Sequence, residues 1–311
     1  MTTWTLDDIP DLRGRRALVT GVTGGLGGST VLQLARRGAM VIATARDEHR
    51  GAAALDAVRA QLPNAALELL VVDLADLSSV RSAAAQLRDT YDRIDMAVTN
   101  AGVMATPQRT TVDGFELQVG TNHLGHFALI GGLWPLLAAA DARIVAVSSL
   151  MHRTVGGIRS TSLQPGGASA GRYRKWRAYG ESKLANLVWA MELDRRVHAA
   201  GIGITAVAAH PGFSATNLQQ AGLAMGGARI ERLVLGAVTR LVSQPAAAGA
   251  EPLVRAATEP GLAGGSFVGP SGPGEMRGAP VLVGMSRVAA DPATGEELWR
   301  LSEQATGVHY P

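Results

Sequence analysis

The stretch Thr20-Gly-Val-Thr-Gly-Gly-Leu-Gly27 directly follows a short apolar run, Ala17–Thr20, and opens an amphipathic stretch that extends to Arg37. Glycine permits a tight turn and a close approach of the backbone to a bound group, because it carries no Cβ. A helix that begins here directs free N–H groups and the positive end of its dipole at the turn. In this strand, loop and helix context the stretch predicts a site for the pyrophosphate of a dinucleotide. The alternative is a glycine-rich turn without a ligand.

Short apolar runs alternate with amphipathic stretches through the first two thirds of the chain. The predicted strands are Ala17–Thr20, Val41–Thr44, Leu67–Val72, Met96–Thr99, Ile144–Val147 and Ile204–Ala208, and the predicted helices include Gly25–Arg37, Glu48–Gln61, Leu77–Tyr91 and Ser182–Ala200. The apolar runs do not alternate in polarity, which is typical of strands covered on both faces. The pattern predicts an α/β fold of three layers (α/β/α), with a doubly wound parallel sheet, the Rossmann fold, in a single domain.

The predicted organisation places this domain at residues 14–270, between an N-terminal extension at 1–13 and a C-terminal extension at 271–311. A loop insertion is predicted at 153–175, with a Gly- and Ser-rich loop at 156–171, and a substrate-binding region at 211–243. Within that region, Met225–Leu241 is an apolar helical stretch, and Ser266–Val268 is a further short strand.

The composition excludes several classes of site. The chain has no cysteine, so a disulfide, a thiolate metal site and a cysteine nucleophile are all impossible. His123, His126 and His152 lack the spacing of metal ligands and are interpreted as packing or hydrogen-bonding residues, so no metal site is predicted. Lysine occurs only at Lys175 and Lys183 in a chain that otherwise uses arginine for its cations. A position that needs a compact ammonium cannot accept arginine, so both lysines become candidates for function.

The N-terminal sequence and the lengths of the apolar runs bear on location. The first residues, Met1-Thr-Thr-Trp-Thr-Leu-Asp-Asp8, contain neither the basic nor the apolar region of a secretory signal. Apolar runs are no longer than strands, whereas a membrane-spanning helix needs about 20 apolar residues. We therefore expect a cytoplasmic protein with no membrane span.

The second predicted strand ends in Ala45, Arg46 and Asp47. In Rossmann folds that bind NAD, an acidic residue near this strand end binds the ribose 2′-OH. Here Ala45 takes that place and Arg46 follows, and a guanidinium pairs well with a 2′-phosphate. Asp47 could touch a ribose, but we favour a helix N-cap role for it. The sequence thus favours NADP(H) over NAD(H).

Two further strand ends are predicted to contact the cofactor. Asp73-Leu74 follows the third strand, where an acceptor could take the adenine amino group, although a helix cap is the alternative. Asn100-Ala-Gly102 follows the fourth strand and can bring its backbone against the cofactor.

The acid–base centre is predicted at Tyr179-Gly-Glu-Ser-Lys183, at the start of a helix. The i, i+4 spacing places Tyr179 and Lys183 on one face. A nearby ammonium favours tyrosinate and lowers the pKa of the phenol, which suits alcohol–ketone interconversion. Ser149 ends the fifth strand, where its hydroxyl can bind the substrate oxygen. Asn122, in a predicted helix, either holds a water against the lysine or faces solvent.

Taken in order, these motifs resemble the short-chain dehydrogenase/reductase family over about residues 14 to 268. The features are Thr-Gly-x-x-x-Gly-x-Gly, Asn-Ala-Gly, the helical Asn, the strand-end Ser, Tyr-x-x-x-Lys and a following Pro-Gly. The segments Asn122–Phe127, Ser148–His152 and Tyr179–Asn186 most resemble the branch of retinol dehydrogenases and protochlorophyllide reductase. Thr23 and Gly24 depart from the family, which more often has Asn or Ser there.

The resemblance implies the roles of the site residues. Ser149 orients the substrate carbonyl, Tyr179 transfers the proton, Lys183 binds the nicotinamide ribose, and Asn122 completes a proton relay. The residues predicted to bind the cofactor are Gly21, Thr23, Gly24, Gly25, Leu26, Gly27, Arg46, Asp73, Leu74, Asn100, Ala101, Gly102, Tyr179, Lys183, Pro211, Gly212, Phe213 and Thr216.

The predicted function is carbonyl–alcohol interconversion with NADP(H) on a lipophilic small molecule. The alternatives are a non-catalytic NADP-binding redox sensor and an epimerase or dehydratase on the same fold. The basic stretch Arg172-Tyr-Arg-Lys-Trp-Arg177 is too short and isolated to favour nucleic acid, and we interpret it as a rim of the active-site mouth that favours an anionic substrate. The sequence leaves open whether the chain is a monomer or a homo-oligomer.

Overall fold

A computed structural model describes residues 4–167, 172–213 and 244–311 of the chain. The predicted helical stretch Met225–Leu241 and the predicted cofactor contact Thr216 lie outside the described residues. Most of the predicted substrate-binding region, 211–243, also lies outside them.

The described residues contain one eight-stranded sheet in the order β3-β2-β1-β4-β5-β6-β7-β8. Its strands are β1 Arg16–Val19, β2 Met40–Ala45, β3 Leu67–Val71, β4 Met96–Thr99, β5 Arg143–Val147, β6 Thr205–Ala209, β7 Phe267–Pro270 and β8 Pro280–Leu282. The first seven strands pair in parallel, and β8 pairs antiparallel with β7. The doubly wound parallel sheet predicted from the sequence is therefore confirmed, and β8 is an edge strand that the sequence analysis did not predict.

The helices of the described residues cover both faces of the sheet. They are α1 Gly25–Arg36, α2 Glu48–Arg59, α3 Leu77–Thr90, α4 Leu117–Val119, α5 Gly125–Gly132, α6 Trp134–Ala138, α7 Lys175–Ala199, α8 Ala246–Thr258 and α9 Pro292–Thr306, with a π-helical turn at Gly120–Leu124. Short 3₁₀ helices occur at Leu6–Asp8, Leu150–Thr154, Ser160–Leu163 and Pro273–Glu275. None of these helices combines the length and apolarity that crossing a membrane requires.

Two apolar cores lie on the two faces of the sheet. Successive residues of a strand point to opposite faces, so Leu18 enters one core and Val19 enters the other. The first core packs the sheet against α3, α5, α7 and α9, and the second packs it against α1, α2 and α8. Burial on both faces explains why the strands are continuous apolar runs.

The helix that carries Tyr179 and Lys183 begins earlier than the sequence predicts. The prediction places its start at Ser182, whereas α7 begins at Lys175, with Arg174 at the N-cap and no capping hydrogen bond from its side chain. The side chain of Gln118 donates to the carbonyl oxygen of Lys175 at 2.9 Å. The start of α7 is thus held by a tertiary contact instead of a local capping signal.

Candidate active site

The carboxyl ends of six successive parallel strands open onto one cavity of about 830 Å³. This is the edge of a doubly wound sheet at which ligands bind. The cavity lining includes Gly21, Thr23, Gly24, Gly25, Leu26, Gly27, Arg46, Asp73, Leu74, Asn100, Ala101, Gly102, Ser149, Tyr179, Lys183, Pro211, Gly212 and Phe213. The structure therefore brings together the residues predicted for the cofactor and for catalysis, except Asn122, which does not line the cavity, and Thr216.

The glycine loop at the end of β1 leaves room only for backbone. Gly21 has φ of 79°, and a Cβ on it would lie 2.8 Å from the Cα of Ala101. A Cβ on Gly27 would lie 2.2 Å from the carbonyl oxygen of Gly21. Helix α1 begins at Gly25, so its free N–H groups are directed into the loop. These features fit the pyrophosphate of a dinucleotide.

Two neighbouring glycines provide a test of this loop. We expect Gly27→Ala to displace the Gly21 carbonyl and to weaken nucleotide binding, with a strain of about 1–3 kcal/mol. Gly28→Ala is the matched control, because a Cβ there would lie 3.4 Å from the carbonyl oxygen of Val22 and fits with little adjustment. Titration calorimetry with NADPH measures both. Equal affinities in the two variants would contradict this description of the loop.

The end of β2 carries two arginines. Arg46 and Arg50 are exposed and line the cavity, and no carboxylate of the described residues forms an ion pair with either. The side chain of Asp47 accepts a hydrogen bond from the backbone N–H of Arg50 at 2.9 Å, which confirms its interpretation as the N-cap of α2. The sequence analysis missed Arg50; its position four residues after Arg46 is the signal that could have found it.

Asp73 and Asn100 hold the loops after β3 and β4. Oδ1 of Asp73 accepts from the backbone N–H of Ala75 at 2.9 Å, and the cap of α3 is Asp76. The side chain of Asn100 donates to the carbonyl oxygen of Thr20 at 2.8 Å. Asn100 therefore ties the loop after β4 to the glycine loop.

Ser149, Tyr179 and Lys183 meet at the opposite end of the cavity. Tyr179 and Lys183 lie one helical turn apart on α7, and both are buried. Ser149 and Tyr179 both line the cavity, and the side chain of Ser149 is close enough to the phenol to lower its pKa in part. The other serine of the pair, Ser148, donates to the carbonyl oxygen of Lys183 at 2.8 Å. Ser149 is thus the serine of the pair that interacts with the phenol.

The pKa of Tyr179 differs from the expectation. The sequence analysis expects the ammonium of Lys183 to lower it, but burial raises the pKa of Tyr179 to about 12, although the side chain of Ser149 lowers it in part. Burial also lowers the pKa of Lys183 to about 8. The ammonium donates to the carbonyl oxygen of Val147 at 2.9 Å. The removal of both groups from water therefore affects their pKa values more than the attraction between the ammonium and a phenolate does.

Asn122 lies in the π-helical turn and is fully buried, so the solvent-facing alternative is wrong. Its Oδ1 accepts from the N–H of Val103 at 2.7 Å, and its Nδ2 donates to the carbonyl oxygen of the same residue at 2.9 Å. Nδ2 also donates to the hydroxyl of Ser182 at 2.9 Å. The side chain therefore joins the loop after β4 to α7. Turns of this kind often occur at functional sites.

A buried hydrogen-bonded chain links Asn122 to the glycine loop through His126. Nδ1 of His126 lies 2.8 Å from the carbonyl oxygen of Asn122, which can only accept, so Nδ1 carries the proton. Nε2 then accepts from the hydroxyl of Thr20 at 2.9 Å. That hydroxyl accepts in turn from the N–H of Ala101 at 2.9 Å. Burial lowers the pKa of His126 to about 4, so the imidazole stays neutral near pH 7.

The segment Pro211–Phe213 is held by the loop between β7 and β8. The N–H of Gly212 donates to Nδ1 of His210 at 3.2 Å, and Nε2 of His210 donates to Glu275 at 3.0 Å. The N–H of Phe213 donates to the carbonyl oxygen of Met276 at 2.8 Å. The sequence analysis missed this support, since residues more than 60 positions apart carry it.

Comparison with known proteins agrees with the fold and the motifs. A family model described as short chain dehydrogenase matches residues 15–161. Retinol dehydrogenase 13 from Homo sapiens is 41% identical over 206 residues, which are 66% of this chain and 60% of that protein. Polyprenol dehydrogenase from Mus musculus is 39% identical over 262 residues, which are 82% of this chain and 75% of that protein. The crystal structure of an uncharacterized protein from Mycobacterium paratuberculosis matches with a TM-score of 0.79 and 41% identity, and the match covers 100% of each chain.

The chain belongs to the short-chain dehydrogenase/reductase family. The resemblance to its retinol dehydrogenase-like branch is confirmed. The prediction of an NAD(P)-dependent oxidoreductase is confirmed at the level of that family. Because the match spans only 60% of the length of retinol dehydrogenase 13, the reaction and the substrate of this member are proposals.

Proposed function

We propose that the chain is an NADP(H)-dependent oxidoreductase that interconverts a carbonyl and a primary or secondary alcohol on a lipophilic small molecule. One observation carries the proposal: a single cavity joins the glycine loop to the hydroxyl pair of Ser149 and Tyr179. A nucleotide-binding sensor without chemistry has no need of a buried phenol at the end of its cofactor site.

The residues that would hold the cofactor follow the strand ends. The glycine loop, Gly21–Gly27, and the N-terminus of α1 would bind the pyrophosphate. Arg46 would bind the 2′-phosphate, and Asp73 and Leu74 would contact the adenine. Asn100–Gly102 would bring its backbone against the cofactor. Pro211–Phe213 would contact the nicotinamide; Thr216, proposed for the carboxamide, lies outside the described residues.

The bound nicotinamide would supply or accept the hydride. The side chains of the protein would hydrogen-bond the substrate oxygen and transfer its proton. In reduction, Ser149 hydrogen-bonds the substrate oxygen and Tyr179 donates its phenolic proton to that oxygen. In oxidation, the phenolate of Tyr179 accepts the alcohol proton. Lys183 would bind the nicotinamide ribose, and its ammonium favours the phenolate. Asn122 would complete the proton relay by holding a water against Lys183.

The substrate end of the cavity supports a lipophilic ligand. Its lining includes Met104, Leu150, Met151 and Trp176 beside the hydroxyls of Ser149 and Tyr179. Such a wall with a few polar groups is typical of sites for apolar ligands. A panel of lipophilic aldehydes, ketones and alcohols, followed by NADPH absorbance, tests the proposal. If no member changes the cofactor's redox state while NADPH binds, the sensor alternative replaces the enzyme.

Cofactor choice is tested at Arg46. We expect Arg46→Ala to weaken NADPH roughly ten- to hundredfold, because a charged hydrogen bond to phosphate contributes about 1.5–3 kcal/mol. NADH affinity is expected to change little, since NADH lacks the 2′-phosphate. Calorimetric titration of each cofactor into wild type and variant measures the difference.

Matched variants on α2 sharpen this test. Arg50→Ala is expected to weaken NADPH less than Arg46→Ala. Arg59→Ala, at the far end of α2 and paired with Asp56, is expected to leave both affinities unchanged. Tighter binding of NADH than of NADPH to the wild type would reject the NADP assignment.

We also propose a cytoplasmic location for the protein. Fractionation of cells that express the chain, with detection in the cytosolic and membrane fractions, tests this inference. Recovery in the membrane fraction would contradict it.

A further inference from the structure

A second cavity, of about 520 Å³, adjoins the catalytic cavity at the N-terminus of α7. Its lining is Pro107, Tyr173, Arg174, Lys175, Trp176 and Arg177. Trp176 lines both cavities, so its side chain borders the two spaces. On α7, Trp176 lies three residues before Tyr179, which places the second cavity about one helical turn from the phenol. The two cavities are therefore neighbours on either side of Trp176.

The charge around this second cavity is positive. Arg172 and Arg174 are exposed, and no ion-pair partner for either occurs among the described residues. Arg109, which lines the catalytic cavity, is likewise exposed and without such a partner there. Arg177, which also lines the second cavity, is paired, with its Nε 2.9 Å from a carboxylate oxygen of the buried Glu181. The mouth therefore carries an excess of guanidinium groups.

The nearby carboxylates are already bound and cannot neutralise that excess. Glu181 also accepts from Arg159 at 2.9 Å and from the hydroxyl of Ser162 at 3.0 Å. Glu116 is buried, and it accepts from the hydroxyl of Tyr173 at 2.9 Å and from the N–H of Val119 at 2.8 Å. These bonds hold both carboxylates inside the protein, and neither carboxylate forms an ion pair with Arg172 or Arg174.

The helix end adds to the positive potential. The first turn of α7 contains no acidic residue, and the N-cap residue, Arg174, makes no capping hydrogen bond with its side chain. Cations at the positive end of a helix dipole are unfavourable for the helix alone. An anion in the second cavity would offset this repulsion and would meet free N–H groups.

Buried polar contacts hold the wall of the second cavity in place. The amide of Gln118 donates to the hydroxyl of Tyr173 at 2.8 Å and to the carbonyl oxygen of Lys175 at 2.9 Å. Its Oε1 accepts from the N–H of Ala105 at 2.7 Å. Gln118 has none of its surface exposed. The segment that carries the arginines is thus anchored from inside, as a binding wall requires.

We propose that the second cavity binds an anionic terminus, a carboxylate or a phosphate, of a lipophilic substrate whose carbonyl or alcohol carbon lies at Tyr179. This inference rests on the proposed function and names the substrate class for the same site. Arg174, in the cavity lining, pairs with the anion, and Arg172, two residues before it, adds positive charge at the mouth. Trp176 packs against the hydrocarbon part of the ligand, and the reacting carbon lies within the catalytic cavity.

A matched pair of probes tests the proposal: a medium-chain ω-oxo carboxylic acid and its primary amide, each with NADPH. In wild type we expect kcat/KM for the acid to exceed that for the amide by roughly tenfold or more, as for a charge-assisted contact. The double variant Arg172→Gln/Arg174→Gln is expected to bring the ratio close to one. Arg300→Gln, an exposed arginine paired with Glu297 on α9, is the control and should keep the wild-type ratio. A phosphate-terminated aldehyde in a third arm distinguishes the two anions.

Equal kcat/KM for acid and amide in wild type would overturn the proposal, as would a preference that survives in the double variant. If neither aldehyde is reduced, calorimetry measures the affinity of the protein for the matching saturated carboxylate and for its amide. This tests anion binding in the second cavity without any reaction. Weaker carboxylate binding in the double variant than in the control then supports the anion site while the proposed reaction fails. If the double substitution abolishes sedimentation with phosphatidylglycerol vesicles and leaves the acid-to-amide ratio intact, the arginines contact a membrane and the proposal is wrong.

Discussion

Replacement of Tyr179 by phenylalanine is expected to lower kcat for carbonyl reduction by roughly 10²–10⁴-fold or more, because proton transfer by a positioned side chain contributes that much. The phenol lies in the same cavity as the glycine loop and the side chain of Ser149. Phenylalanine keeps the ring that packs at this buried position and removes only the proton donor. NADPH affinity should survive, since the phosphates bind at the other end of the cavity.

Single-turnover reduction and NADPH titration of wild type and Tyr179→Phe measure this expectation. Ser149→Ala is the companion variant and should reduce kcat less, because it leaves the proton donor in place. If Tyr179→Phe turns over within a factor of a few of wild type while it binds NADPH normally, Tyr179 is not the acid–base residue.

The pH dependence of the oxidation rate is an independent test of the role of Tyr179. Alcohol oxidation needs the phenolate, and burial raises the pKa of Tyr179 to about 12, so the oxidation rate should rise with pH from neutrality upward. Burial lowers the pKa of Lys183 to about 8, so loss of the ammonium above that pH should flatten the rise. Reduction needs the neutral phenol, which is the main form below its raised pKa. An oxidation rate that falls between pH 6 and pH 8 would contradict the assignment. Such a fall would instead indicate a group that titrates near the ordinary pKa of histidine, about 6.5.

Replacement of Lys183 by arginine is expected to lower kcat by at least roughly a hundredfold, although the charge is retained. The side chain is buried, and Nζ donates to the carbonyl oxygen of Val147 at 2.9 Å. On another side, a Cβ placed on Gly102 would lie 3.7 Å from Nζ, so backbone is close there too. A planar guanidinium cannot reproduce the compact ammonium's contacts between these two segments.

The measurement compares Lys183→Arg and Lys183→Met by kcat, NADPH affinity and thermal unfolding. Lys183→Met keeps the length of the side chain without its charge, so it separates the loss of the ammonium from a loss of packing. If Lys183→Arg retains most of the wild-type activity, the argument from the scarcity of lysine in this chain is wrong.

Local sequence predicted the elements whose character depends on burial in the sheet. Strands such as β4 and β5 lie within a residue of their predicted bounds, because cover on both faces demands an unbroken apolar run. The edge strand β8 was not predicted, since Pro280–Leu282 is three residues long and only its pairing with β7 makes it a strand. The helix α7 was predicted seven residues short, because Gln118 and not a local cap holds its first turn.

In the candidate site too, some features followed from the local sequence and others only from the tertiary structure. Spacing along the chain was sufficient to place Tyr179 and Lys183 on one helical face and to identify Ser149 at a strand end. It could not reveal that His126 bonds Thr20, a residue 106 positions away, or that His210 bonds Glu275. The structure alone gives these contacts, because packing of distant segments creates them.

What the sequence by itself determined is the type of fold, the glycine loop and the spacing of the proposed acid–base pair, since these depend on residue type and local spacing. Only the tertiary structure decided the environment of that pair. The phenol of Tyr179 and the ammonium of Lys183 are removed from water by segments far apart in the chain. Their pKa values therefore follow burial, which no local pattern encodes.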